Sequence, residues 1–332
     1  MMVADTSTGK TVGCNLYIAE RLMNKSNQGI PRRQLLKEVA ALAAASMLFP
    51  PITARQVVGA ETVNVARIEG FSCIPLCFWK EMHTEKTMSY EDWIRMAVEL
   101  GLDGTEIFEP FLTGLDASAR MRLADVMHAA GLKASMYTIE SNFSNPADRE
   151  KAIAHVRHAV DAARLFGANR VRLTAASHTL VGPIVGAAKG PAMHSIADGL
   201  KGCLDYAEEK QVMLALENHP VIGTNIADFM KILELVDDQR LKVNLDTANV
   251  PSPTTVEFAR RVLDRVVHVH VSELLRGRHG VVIGKGDVDI RGVFSVLKNG
   301  GYDGWISLEP LAGGKEDLRF SVGYVRDAWN KA

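Results

Sequence analysis

The sequence predicts an α/β protein, a single-domain (β/α)8 barrel (TIM barrel), on three observations. Short apolar runs alternate with amphipathic stretches eight times after about residue 63; eight strand–helix units in about 270 residues is the usual size of that fold. Four of the runs end on a residue of metal-ligand type: Val212-Met-Leu-Ala-Leu-Glu217, Leu241-Lys-Val-Asn-Leu-Asp246, Val266-Val-His-Val-His270 and Trp305-Ile-Ser-Leu-Glu309. Within them apolar and polar residues alternate. Val243 and Leu245 oppose Asn244 and Asp246, Val267 and Val269 oppose His268 and His270, and Ile306 and Leu308 oppose Ser307 and Glu309. Side chains on a strand change face at every residue. The apolar set therefore packs on the helix ring and the polar set faces the barrel axis, with the chemistry at the C-terminal strand ends.

In chain order, strands are expected to begin near Ala66, Gly104, Leu132, Arg170, Val212, Leu241, Val266 and Trp305. Helices are expected over 90–100, 117–130, 146–166, 193–209, 225–236, 254–263, 290–298 and 318–330, where the apolar residues recur at helical spacing. Gly101, Gly131, Gly167 and Gly301 stand just beyond helix ends, where a left-handed residue commonly closes the last turn. A doubly wound sheet would carry a glycine-rich phosphate turn after its first strand. Phe71-Ser-Cys-Ile-Pro-Leu-Cys-Phe-Trp79 has none.

The 332 residues, 47% hydrophobic, suffice for one large domain. A net charge of −1 with both signs dispersed argues against a nucleic-acid partner, which needs a clustered basic face. No apolar run reaches the length of a membrane span. Cys73 and Cys77 fall in a segment that reads as extended, about 13 Å apart and too far to bridge. They and Cys14 and Cys203 are expected to be free thiols.

Residues 1–60 read as a leader and 61–332 as the barrel domain. Arg32-Arg33, a short apolar run from Val39 to Phe49, and small residues at Val58 and Ala60 resemble a twin-arginine export signal with cleavage after Ala60. Pro31 stands where such signals carry Ser or Thr, and the arginines lie unusually far from the start. A periplasmic or exported protein is expected.

Glu217, Asp246, His270 and Glu309 follow one another at spacings of 29, 24 and 39 residues, each near the length of one strand–helix unit. Three hard oxygen donors and one imidazole describe a divalent-metal site that suits Mn2+ best, with Co2+, Mg2+, Fe2+ and Zn2+ as alternatives.

Leu216-Glu-Asn-His219, Asn244-Leu-Asp-Thr-Ala-Asn249, His268-Val-His270 and Ser307-Leu-Glu-Pro310 resemble the motifs of the sugar phosphate isomerase/epimerase family, with its xylose isomerase-like barrel, over residues 66–329. The resemblance implies that the four residues hold the metal and that Arg276, six residues after the metal histidine, grips substrate. Gly284-Lys-Gly-Asp-Val-Asp289 is similar to the family's glycine-containing loop before helix seven. Two positions depart from the ketose 3-epimerase branch: Asn249 replaces a histidine and Gly223 a glutamate.

The chemistry expected is proton abstraction beside a carbonyl, with Glu217 or Glu309 as base and an enediolate as intermediate. Reprotonation gives an epimer or an isomer of a sugar or keto-sugar; loss of a β-substituent instead makes the protein a lyase or dehydratase acting on a keto-sugar or 3-keto-glycoside. His219 and Asn249 are candidate substrate contacts, with Glu106 and His178 at the ends of strands two and four and Trp79 at the end of strand one. His268, one layer below His270, reads as structural. A non-catalytic sugar-binding barrel is the reading from another class, an abasic-site nuclease ranks last, and a homo-oligomer is left open.

Overall fold

A computed structural model describes residues 67–176, 189–220, 225–250 and 254–332. The leader with Arg32 and Arg33, the candidate His178, and Gly223 lie outside the described residues. Eight parallel strands run β1 (Gly70–Cys73), β2 (Gly104–Phe108), β3 (Lys133–Thr138), β4 (Arg170–Leu173), β5 (Met213–Glu217), β6 (Leu241–Asp246), β7 (Val266–Val271) and β8 (Trp305–Leu308). Each hydrogen-bonds its neighbour in sequence from β2 to β8, and β8 pairs with β1. The last gap, between β1 and β2, closes through Asp103: its backbone N–H donates to the Phe71 carbonyl at 2.9 Å, and its Oδ2 accepts from the Phe71 N–H at 2.9 Å.

Among the described residues, eight α-helices surround the strands: α1 (Tyr90–Glu99), α2 (Ala117–Ala129), α3 (Arg149–Leu165), α4 (Lys189–Glu209), α5 (Ile226–Val236), α6 (Thr254–Val262), α7 (Ile290–Asn299) and α8 (Lys315–Lys331). Their starts are encoded locally. Ser89 and Asp92 make a reciprocal capping box on α1, Asp116 accepts the Ala119 N–H at 2.7 Å on α2, and Asp289 accepts that of Gly292 at 2.8 Å on α7. Gly101 and Gly131 take the left-handed conformation expected of them, with φ of 71° and 76°.

The two strand faces divide as their alternation predicts. Val171, Leu173, Leu214, Leu216, Val243, Leu245, Val269, Ile306 and Leu308 are buried in the same apolar cluster as Ile196, Leu200, Ile232, Phe258 and Phe294 of the helices. Each such side chain contributes about 1.5–3 kcal/mol. The axis is polar where barrels of this kind are commonly filled by branched apolar residues: Ser72, Glu106, Arg172, Glu217, Asn244, Asp246, His268, His270 and Ser307 are all buried. Trp305 plugs its lower end. A Cβ on Gly70 or Gly104 would stand 2.9 Å from the Trp305 ring, so both strands need glycine there.

Three starts among the described residues differ from expectation: β1 begins at Gly70, four residues after Ala66, α3 at Arg149, three after Pro146, and α8 at Lys315, three before Leu318. Cys77 lies in a 3-10 turn, Leu76–Phe78, because Pro75 ends the strand; Cys73, Cys77 and Cys203 are free.

Candidate active site

β5, β6, β7 and β8 deliver Glu217, Asp246, His270 and Glu309 to one point at their C-terminal ends. One ligand atom from each lies within 4.8 Å of all the others. Neighbouring registers explain the convergence. Glu217 pairs with Asn244, one layer below Asp246, and Asp246 pairs directly with His270.

Each member is held by its own contacts. Glu217 Oε2 accepts from Arg172 Nε at 2.8 Å, and Arg172 Nη1 donates to the Ile139 carbonyl at 2.9 Å. Glu217 Oε1 lies 2.8 Å from His270 Nδ1. Asp246 Oδ1 accepts the N–H groups of Ala248 and Asn249 at 2.8 and 2.7 Å, which tightens the turn after β6, and Ser272 Oγ bonds the same carboxylate. Asn218 locks the strand end by accepting the Asp246 N–H and donating to its carbonyl.

His270 is aimed by Glu106. The Glu106 carboxylate, fully buried on β2, sits 3.0 Å from His270 Nε2 and accepts from Thr138 Oγ1 at 2.6 Å and from Ser307 Oγ. That leaves Nδ1 facing Glu217 at 2.8 Å and Glu309 at 3.5 Å. A carboxylate on the far nitrogen is the usual support of a metal-ligating histidine, because it fixes the tautomer and raises basicity. Beneath, His268 Nδ1 lies 3.0 Å from Asn244 Oδ1. Burial first, and then the neighbouring His270, draw His268 down to about 3, so it is neutral.

The charges are strongly coupled. Burial opposes ionisation of Glu217, yet Arg172 and His270 outweigh it and hold that carboxyl well below its ordinary range. Burial and the Glu309 carboxylate push Asp246 well up. His270 is held protonated far above its usual range: burial opposes the charge, but Glu106 and Glu309 prevail. Glu106, despite burial, is drawn to about 2 by His270 and His268. A buried, carboxylate-rich set in which an Asp and a His must retain protons has the electrostatics of a cation site. Its three oxygens and one nitrogen fit a divalent ion.

A cavity of about 670 Å3 opens above this set. Its polar side is formed by Thr138, Glu140, Arg172, His219, Asn249, His279 and Glu309. Expected contacts His219, Asn249, Glu309 and Trp79 all line it. Two do not. Glu106 is fully buried with its oxygens taken by His270, Thr138 and Ser307, so it supports the site from below and is closed to a sugar hydroxyl. Arg276 sits exposed on the loop after β7, in a left-handed turn (φ 51°) whose N–H bonds Asp287. His279, three residues on, takes the place in the cavity lining. That loop is cradled by Glu273, which accepts the N–H groups of Gly284 and Val288 at 3.1 and 3.0 Å.

Arg172 was not singled out by sequence reasoning. A signal was there: Arg170-Val-Arg172 puts two arginines on the polar, inward face of β4.

Fold and site together define the class: a (β/α)8 barrel with a metal-binding type of residue set at its catalytic end. The model of the xylose isomerase-like TIM barrel family matches residues 94–327, and the chain belongs to that family. An inosose dehydratase of Klebsiella pneumoniae strain 342 is 27% identical over 202 residues, 51% of this chain and 67% of the relative. The match to the inosose dehydratase of Clostridium botulinum spans 45% of that protein's length. Among solved structures, D-psicose 3-epimerase from Clostridium cellulolyticum H10 superposes with a TM-score of 0.65 at 16% identity, covering 78% of this chain and 99% of that one. The IOLI protein with a bound zinc atom gives 0.62 at 16%, covering 79% and 98%. At these identities the structural likeness is one of fold.

Proposed function

We propose that this protein is a divalent-metal-dependent enzyme that enolises a sugar or keto-sugar beside its carbonyl, as an isomerase or epimerase. Glu217, Asp246, His270 and Glu309 would hold the metal. The convergence of four buried ligand atoms beneath a cavity carries this reading. A bound divalent cation would supply the positive charge that stabilises an enediolate oxygen.

The chain's own groups divide the remaining work. Glu217 and Glu309 were equal candidates for the base, and geometry separates them. Glu217 has both oxygens engaged by Arg172 and His270 and does not line the cavity; Glu309 does, with 11% of its side chain exposed. Glu309 therefore takes the proton from the carbon beside the carbonyl, and Glu217 serves as a ligand pinned by Arg172. His219, also in the lining and two residues beyond Glu217 at the end of β5, is the group that can return a proton. Return to the opposite face of the same carbon gives an epimer and return to the neighbouring carbon an isomer.

A second reading is a dehydratase or lyase, in which the carbanion expels a β-substituent. The matched inosose dehydratases favour it, and it needs no residue that the first reading lacks. The leader is proposed to export the protein by the twin-arginine route. The test is solvent deuterium incorporation into ketoses and keto-sugars, with metal added. Exchange must fall at least a hundredfold in Glu309→Gln, whereas Glu217→Gln must first lose metal affinity. Exchange at the wild-type rate in metal-loaded Glu309→Gln would remove Glu309 as the base. Release of water or of a leaving group would select the second reading.

A further inference from the structure

The mechanism uses only one side of the cavity. The other side, formed at the ends of β1 and β2 and in the loop after β8, is apolar: Ile74, Leu76, Trp79, Phe108, Pro110 and Leu311. Trp79 is 40% exposed and Leu311 43%, two of the few large apolar side chains left open to solvent among the described residues. Trp79 is also braced. Its ring lies 4.2 Å from that of His83, 5.6 Å from Phe111 and 6.0 Å from Phe108. It is thus a preformed platform, not a side chain that could fold back into the core.

The reacting carbon and its oxygens must sit by Glu309 and the metal ligands. A free hexose spanning the cavity would then press hydroxyls against the β8–β1–β2 wall that adjoins Glu309, whose lining side chains among the described residues are apolar. A hydroxyl buried there without a partner loses its hydrogen bonds to water and is penalised. The group that reaches that wall should therefore be apolar, and a flat ring gains most from an aromatic platform. The cavity is also in the size range that encloses drug-sized ligands, ample for two rings. We infer that the apolar wall is a subsite for an aryl substituent, so that the substrate is a keto-sugar in glycosidic linkage to an aromatic group. A substituted anomeric oxygen bars the open-chain form, so the carbonyl must stand on a ring carbon. This inference rests on the enolising function proposed above.

The experiment compares metal-loaded wild-type protein on phenyl, methyl and glucosyl 3-keto-β-glucosides and on free ketoses, following deuterium uptake beside the carbonyl. The phenyl compound is expected to show a kcat/KM roughly tenfold or more above the methyl compound, the scale on which apolar pocket contacts discriminate. Trp79→Ala and Leu311→Ala, at exposed positions that the fold tolerates, should collapse the phenyl-to-methyl ratio. Equal rates for phenyl and methyl, a preference for the glucosyl compound, or an unchanged ratio in both variants would overturn the inference. So would exchange confined to free ketoses, which leaves the enolising function standing. Absence of exchange with every compound would remove both.

Discussion

Replacing Glu106 with Gln tests whether the site is built as a carboxylate–histidine–metal relay. The amide is nearly isosteric, and its carbonyl can still accept from Thr138 or Ser307, so the barrel should fold. The change falls on His270. With glutamate, Nε2–H faces a carboxylate oxygen 3.0 Å away, so the proton that metal loading displaces is the one on Nδ1, which faces Glu217. With glutamine, either the amide carbonyl turns to Nε2–H and weakens a charge-assisted bond to a neutral one, or the amide NH2 faces Nε2. The second arrangement forces the proton onto Nδ1, the nitrogen that must bind the metal. Loss of such an outer partner lowers metal affinity about 10- to 100-fold, or about 1.4–2.8 kcal/mol. Titration of the metal-free protein with Mn2+ against a chromophoric chelator measures it directly, and thermal unfolding of the metal-free variant serves as control. A dissociation constant within twofold of wild type would refute the relay. A fall in Tm without weaker metal binding would reduce Glu106 to a structural role.

Three further outcomes follow from the same geometry. Arg172→Leu strands the buried Glu217 carboxylate and should cost the metal-free protein about 3–5 kcal/mol, visible in denaturant unfolding near neutral pH; because the Glu217 pKa is depressed in the fold, the deficit should shrink as pH falls through the acid range, and a pH-independent deficit would contradict the pairing. Metal loading must displace the protons that Asp246 and His270 retain, so affinity should rise with pH, by up to about tenfold per unit for each proton displaced, and calorimetry in buffers of different ionisation enthalpy should register proton release. Residues 1–60 fused to a reporter should direct export, and Arg32→Lys with Arg33→Lys should abolish it; export that survives the double change would exclude the twin-arginine route.

The four candidate ligands were legible because a strand's side chains alternate with a period of two and each strand closed on a residue of metal-ligand type at its polar phase. Asp246 and His270 could be placed on one face without knowing the fold. Arg172 and Glu106 could not be assigned. Arg172 meets Glu217 across 45 residues of sequence, and Glu106 meets His270 across 164. Those contacts depend on how far each strand is offset when the sheet closes, which local periodicity does not encode. Arg276 shows the converse. Its spacing from His270 fits the family's pattern, but the turn held by Glu273 and Asp287 leaves its side chain outside the cavity lining and brings His279 there.

Sequence alone determined the barrel, its eight units and the metal-binding type of residue set, because hydrophobic period and helix caps are local properties of the chain. Tertiary structure decided the rest: which carboxylate is pinned, which is open to substrate, and that the cavity has an apolar half. Burial, charge coupling and solvent access arise only when residues from opposite sides of the barrel come within a few ångströms of one another.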